Sequence, residues 1–433
     1  MKNHLFFFLL LVGFSTQAQI QFNSFQDLID YADEHAISIQ RAEIGEQIAQ
    51  TGKKEAFANL LPTVNASLGA NDNITLQPSL VPAQLLNPEA PAGTYEELTF
   101  GTKYVYSGGI QVQWDILNFQ KLIALQTADI EIDKSRANTQ LSKYNTYNSL
   151  AGTYYSIVLS QQSIPIYEEN LEVAESIFKH AKEKYQNGLI SEAELNKAKI
   201  KRLQNKRTLD HATNNLDQFY VQLQSQLNTD KTIVVKDAPQ QFELKETTIY
   251  SIHPDVLWQR AQLEQSQSLL KQTKASRLPT ISLIYQNNRN WATDDFMGFS
   301  DAVTLPQQTF GINISFTGLL SFSTGQKIKQ SESELHIQKI QLQNTVLVKE
   351  KEDQLLQLQL QQSTNQLNEN KEILALQKQN DQHAENKYQS GLLSLDERLN
   401  QYDDLLVTQD SYLQSLAAHT LAKYKIFVRQ IKL

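Results

Sequence analysis

The chain repeats itself. Lys184-Tyr185-Gln186-Asn187-Gly188-Leu189-Ile190-Ser191 returns as Lys387-Tyr388-Gln389-Ser390-Gly391-Leu392-Leu393-Ser394, 203 residues later. Gly109-Ile110-Gln111-Val112-Gln113-Trp114 returns as Gly311-Ile312-Asn313-Ile314-Ser315-Phe316 at an offset of 202, and Leu61-Pro62-Thr63-Val64 as Leu278-Pro279-Thr280-Ile281 at 217. The three pairs keep their order, so the 433 residues read as two copies of one unit. The first copy carries about 15 extra residues between its Leu-Pro and Gly-Ile segments. The boundaries are a first repeat over 19–228, a connector over 229–250 and a second repeat over 251–433.

Each copy holds two stretches of alternating apolar and polar residues. They are Val64 to Asn71 and Lys103 to Ile116 in the first, Thr280 to Gln286 and Phe310 to Thr317 in the second. Period two predicts strands with one greasy and one polar face, four per chain. Segments 25–60, 120–187, 191–228, 254–277, 323–389 and 394–430 are nearly free of Pro and Gly and rich in Gln, Leu, Ala, Glu and Lys, which predicts helix. Leu360, Leu367 and Leu374 recur every seven residues, as do Ile328, Leu335 and Leu342, a spacing suited to supercoiled neighbours. Segment 323–389 would extend about 100 Å as a helix. Pro165 predicts a kink in the other long helix. Residues 72–102 and 287–309, with their Pro, Asn and Asp residues, read as two long irregular loops, and 229–250 as a small mixed α/β element.

The two Gly-Leu-x-Ser turns have a local logic. Gly188 and Gly391 end one helix. Ser191 with Glu194, and Ser394 with Glu397, form capping boxes that begin the next. Helix capping accounts for these residues; exposed tips offered to a partner would use Gly188, Leu189, Ser191, Gly391, Leu392 and Ser394.

Several classes of function fall away. Lys and Arg number 39 against 47 Asp and Glu, an acidic balance unsuited to coating nucleic acid. Cysteine is absent, which removes thiol catalysis, thiolate metal sites and disulfides. The eight His never fall within five residues of each other, and no nucleophile elbow, P-loop or Gly-rich dinucleotide turn occurs, so no catalytic, cofactor or metal residue is assigned. Beyond the N-terminus no apolar run approaches the ~20 residues of a spanning helix. Lys2, the apolar stretch Leu5 to Phe14 and the small residues ending at Ala18 predict a signal peptide over 1–18, cut after Ala18.

Four strands cannot close a barrel, but three chains supply twelve, and a closed barrel leaves no backbone group unpaired in lipid. The expected class is therefore an α+β membrane protein, with a trimeric 12-strand transmembrane β-barrel continued by a long α-helical coiled-coil barrel.

This pattern resembles the TolC-type outer-membrane efflux protein family over about residues 22–430. The resemblance rests on Leu60-Leu61-Pro62, Arg277-Leu278-Pro279, His253-Pro254-Asp255-Val256, the two Tyr-Gln-x-Gly-Leu-x-Ser turns, Trp114-Asp115-Ile116-Leu117 and Phe316-Thr317-Gly318-Leu319-Leu320. It implies a homotrimer in outer-membrane lipid whose helical part crosses the periplasm of a Gram-negative-type cell. There it meets a periplasmic adaptor (membrane fusion) protein and an inner-membrane transporter. The chain would be a passive conduit of a tripartite efflux or type I secretion system, with drugs, metals and proteins all open as cargo. The family's acidic iris falls on Leu395 to Gln401. Glu397 matches one acidic position and Asn400 puts an amide at the second. Glu397, Asn400 and Asp404 share one helix face and form the expected periplasmic gate. With no lipidated N-terminal Cys, anchoring would rest on the barrel. The competing readings are a periplasmic coiled-coil structural or adaptor protein and a secreted helical enzyme.

Overall fold

The computed structural model describes residues 19–237, 244, 249, 251–318 and 321–431. The expected signal peptide and most of 238–250 lie outside them. In chain order the elements are β1 (Ile20–Phe22), α1 (Phe25–His35), α2 (Ile37–Ala58), β2 (Thr63–Asp72), β3 (Pro78–Pro82), β4 (Tyr95–Thr99), β5 (Tyr104–Asn118), α3 (Phe119–Gln186), α4 (Glu192–Gln226), β6 (Ile233–Val235), α5 (Pro254–Ala275), β7 (Thr280–Thr293), β8 (Val303–Ser315), α6 (Phe322–Gln389) and α7 (Leu395–Gln430). They group into two compact units. One takes residues to Glu46, Ser135–Arg260 and from Gln341 on; the other takes Gln47–Lys134 and Ala261–Ile340.

The second unit holds a four-stranded antiparallel sheet in the order β2-β5-β7-β8. The expected strands are all present, and longer. Residues 287–293 and 303–309 are strand, not loop, because β7 and β8 stay paired out to Ala292 and Val303. Residues 72–102 also depart from an irregular loop. β3 and β4 pair there as a short hairpin, framed by Pro78 and Pro82.

Register sorts the faces. On one, Val64, Val112, Tyr285 and Phe310 form a continuous cross-strand row, and Trp114, Leu283 and Ile312 form another. On the other, Asn65, Gln111, Gln286 and Thr309 make one row and Ser67, Gly109, Asn288 and Gln307 the next. The polar face carries a single charge, Asp115, paired with Lys121 at 2.8 Å. The apolar face is uncovered: Phe310 is 71% exposed, Leu68 92% and Val64 66%. The sheet is open at both sides, since β2 and β8 each have one strand neighbour. These two edges run in opposite directions along the sheet.

The first unit is helical. The predicted helix over 25–60 is two helices, because Ala36 takes an extended backbone between them. Ser24 caps α1, and its Phe25, Leu28, Ile29 and Ala32 enter a core with Tyr147, Leu150, Tyr154, Ile157, Tyr424 and Val428. Burying side chains of this size stabilises the unit by about 1.5–3 kcal/mol each. Pro165, where a kink is expected, lies inside the continuous α3. β1 and β6 pair in parallel, so the described part of the connector contributes a strand to this unit.

His253 is buried at the start of α5, its ring edge-on to Tyr144 at 4.7 Å, and its Nδ1 accepts the Asp255 N–H at 3.2 Å. Burial, reinforced by Arg429, depresses its pKa to about 4. An unfolded imidazole titrates near 6.5, so between pH 6.5 and 4 the unfolded chain binds the extra proton. Stability is then constant above pH 6.5 and falls by about 3 kcal/mol per chain as pH drops through that window. Melting curves at pH 7.5 and 5.0 should show about 2 kcal/mol of this loss, and His253→Gln should flatten it; a variant with the parent's pH slope would place the titration elsewhere.

Candidate functional site

The two repeated turns share one geometry. α3 closes with Gly188 at φ +70°, and Leu189 N–H donates to Lys184 O at 2.9 Å. α6 closes with Gly391 at φ +76°, and Leu392 N–H donates to Lys387 O at 2.9 Å. Positive φ is why glycine stands at both positions. Ser191 then opens α4, accepting Glu194 N–H at 3.3 Å while the Glu194 carboxylate accepts Ser191 N–H at 2.7 Å. Ser394 and Glu397 repeat this at the start of α7, at 3.2 and 3.0 Å. Gly188, Leu189, Ser191, Gly391, Leu392 and Ser394 are all exposed. Leu189 and Leu392 are 71% and 79% exposed, two leucines uncovered in corresponding places.

Glu397 therefore serves as a cap. Hydrogen bonds from the Ser394 hydroxyl and backbone hold its carboxyl below the usual range, so it is charged at neutral pH. Glu397, Asn400 and Asp404 lie along one exposed stripe of α7, continued by Val407. Leu395, Leu399, Tyr402 and Leu405 face the other way, into a core with Ala174, Ile177, Ala181, Ala198 and Tyr388. Glu397 and Gln401 also border an open groove whose far wall carries His383 and Lys387. A carboxylate and an ammonium thus line the same groove.

The sequence reading missed the group that braces this end. Arg398 is 1% exposed. Its guanidinium donates through Nη1 to Asp381 at 2.6 Å and through Nε to Glu385 at 2.7 Å, joining α7 to α6. Burial opposes its charge, but the hydrogen bonds it donates to both carboxylates outweigh burial and raise its pKa. Lys197 reaches Asp396 at 2.7 Å, Lys201 pairs with Asp403, and Asn170 donates to Gln409 at 2.7 Å, joining α3 and α4 to α7. The lysine pairs are half exposed and contribute about 1 kcal/mol or less each. The only sequence hint for Arg398 was a charged residue one position before a buried leucine.

Among the described residues no His, Cys, Asp and Glu group could hold a metal ion. No described helix is long and apolar enough to cross a membrane, which leaves the sheet as the element to compare with spanning strands.

Residues 28–229, just under half of the chain, match the model of the outer membrane efflux protein family. No curated protein matches at a significant level. Among solved structures, the outer membrane protein VceC from Vibrio cholerae is 16% identical, with 94% of this chain and 95% of that one covered at a TM-score of 0.71. A membrane protein from Pseudomonas aeruginosa is 13% identical over 95% and 90%, with a TM-score of 0.75. The Campylobacter jejuni CmeC outer membrane channel is 18% identical over 94% and 84%, with a TM-score of 0.68. At such identities the likeness is one of fold.

Proposed function

We propose that this chain, an outer membrane efflux protein by the match over residues 28–229 and by fold, supplies one third of a passive export channel. Three copies close a 12-strand barrel in the outer membrane of a Gram-negative-type cell, and their helices form a coiled-coil tunnel in the periplasm. The sheet carries this reading. It has four antiparallel strands, two unpaired edges of opposite direction, an exposed apolar face and an amide-lined face. Opposite edges let β8 of one copy pair with β2 of the next in the antiparallel sense. Closure then leaves no edge in lipid. α6 supports the trimer. Its heptad residues Ile328, Leu335 and Leu342 are half-buried or buried, yet Ile337, Ile340, Leu347 and Leu358 form a further apolar set at the surface. A second copy covers such a set.

The two-repeat organisation over 19–228 and 251–433 fits the matched turns and the two 68-residue helices. Leu189 and Leu392 then dock a periplasmic adaptor coupled to an inner-membrane transporter of a tripartite efflux or type I secretion system. Glu397, Asn400 and Asp404 line the gate. Three Glu397 carboxylates make one ring, three Asp404 carboxylates a second, and Asn400 leaves the level between them neutral. Such rings favour cations.

The assembly is tested by extracting the full chain from membranes in detergent, weighing it and applying it to planar bilayers. A particle of three chains with discrete conductance is expected; a carbonate-extractable monomer without conductance would favour a periplasmic coiled-coil protein. The gate is tested by Glu397→Gln, which keeps the capping box because glutamine serves at that position. Its reversal potential in a salt gradient should move toward zero, and an unmoved cation preference would remove Glu397 from the gate.

A further inference from the structure

One charged side chain sits where the barrel reading leaves it no protein partner. Arg289, in the outward third of β7, lies opposite Gly108 of β5 and Pro306 of β8, in register with Leu68 of β2. This is the apolar face: two residues toward the helices the row is Asn287, Ile110 and Ala66, and two residues outward it is Trp291, Tyr106 and Ala70. A Cβ placed on Gly108 would come 3.1 Å from Leu68 Cδ2 and 3.4 Å from the Trp291 ring, so both side chains lean over Gly108 and close the space beside Arg289. Arg289 is exposed and forms no ion pair among the described residues.

We propose that Arg289, beside Trp291, forms a binding site for the phosphate group of an outer-leaflet lipid. The inference deepens the channel reading and rests on it, since that reading turns this face to lipid. Trp291 marks the aromatic girdle where a barrel meets headgroups, while Tyr106 in the same row is covered by Met297 and Phe299. One row is about 6.6 Å along a strand, and a strand tilt near 40° reduces this to about 5 Å of depth. A guanidinium that far below the girdle reaches headgroup level on its own side chain. Its planar fork matches two phosphate oxygens, and the amides of Asn287 and Gln308, paired one row deeper, offer further neutral donors. An uncompensated cation on a lipid-facing strand is unfavourable, so an anionic lipid group completes the site.

The experiment uses the full-length detergent-purified trimer and native mass spectrometry. Its probes are bis-phosphorylated lipid A, the same glycolipid stripped of phosphate, phosphatidylcholine and inorganic phosphate. Bis-phosphorylated lipid A should be retained in preference to the stripped form. Arg289→Gln should cut that retention about tenfold, Arg289→Lys should restore part of it, and Lys103→Gln should leave it unchanged. Equal retention by Arg289→Gln, or displacement of lipid A by equimolar inorganic phosphate, would overturn the site. If Arg289→Gln fails to assemble, the comparison of phosphorylated with stripped lipid on the parent decides, and equal retention of the two overturns it. Failure of the parent chain itself to trimerise or insert would instead overturn the channel reading.

Discussion

Phe310→Arg removes the chain from the membrane, while Thr309→Arg, one residue away, leaves it there. Phe310 belongs to the all-apolar row with Val64, Val112 and Tyr285, and Thr309 to the polar row with Asn65, Gln111 and Gln286. In a closed barrel the first row meets hydrocarbon and the second meets water. Arginine on the lipid face costs about 2–4 kcal/mol at the midplane. A threefold assembly carries that cost three times, so the total is comparable with the whole stability of a domain. The measurement is the amount of heat-dissociable trimer in the outer-membrane fraction. Because the two variants add the same charge to adjacent residues of one strand, a general charge effect would lower both. Equal tolerance would mean that no lipid lies against Phe310.

Arg398→Ala loosens the tip of α6 and α7. The guanidinium is buried and shared between Asp381 and Glu385. Its removal leaves two carboxylates facing a core of Tyr388, Leu395, Leu399 and Tyr402. Breaking a buried pair from one side costs about 3–5 kcal/mol. Amide hydrogen exchange should therefore speed up by a hundredfold or more over residues 378–405 (~1.4 kcal/mol per factor of ten). In the proposed channel, where this tip forms the gate, the closed-state conductance should rise with it. A triple replacement, Arg398→Met with Asp381→Asn and Glu385→Gln, removes the charges together and should recover much of the protection. Unchanged exchange in Arg398→Ala would show that the apolar contacts alone hold the tip.

The two outcomes draw on different layers of the sequence. Long helices without Pro or Gly, and the Ser-x-x-Glu caps at Ser191 and Ser394, are local properties, and the helices begin within a few residues of where those properties put them. The inner ends of the strands were equally plain, because Val64, Leu283 and Ile312 alternate with polar neighbours. Their outer ends were not. Asn287 and Arg289 occupy positions on the apolar face, so the alternation fails while the hydrogen-bond ladder goes on to Ala292. The break at Ala36 had no Pro or Gly to announce it. Arg398 could be seen only as an isolated cation, since Asp381 and Glu385 lie 17 and 13 residues earlier on another helix. Of the candidate site, the turns and the exposed stripe of Glu397, Asn400 and Asp404 follow from spacing, whereas the bracing beneath them depends on packing between helices.

The unpaired flanks of the sheet have a consequence for biogenesis. Ribosomes release chains singly, and each newly exported polypeptide reaches its destination with two rows of amide and carbonyl groups lacking protein partners. Among the described residues nothing pairs with them. In the proposed trimer folding to completion depends on the encounter of siblings, so yield should climb more steeply than expression level at low dose, and isolated subunits should be the species that chaperones hold and proteases clear.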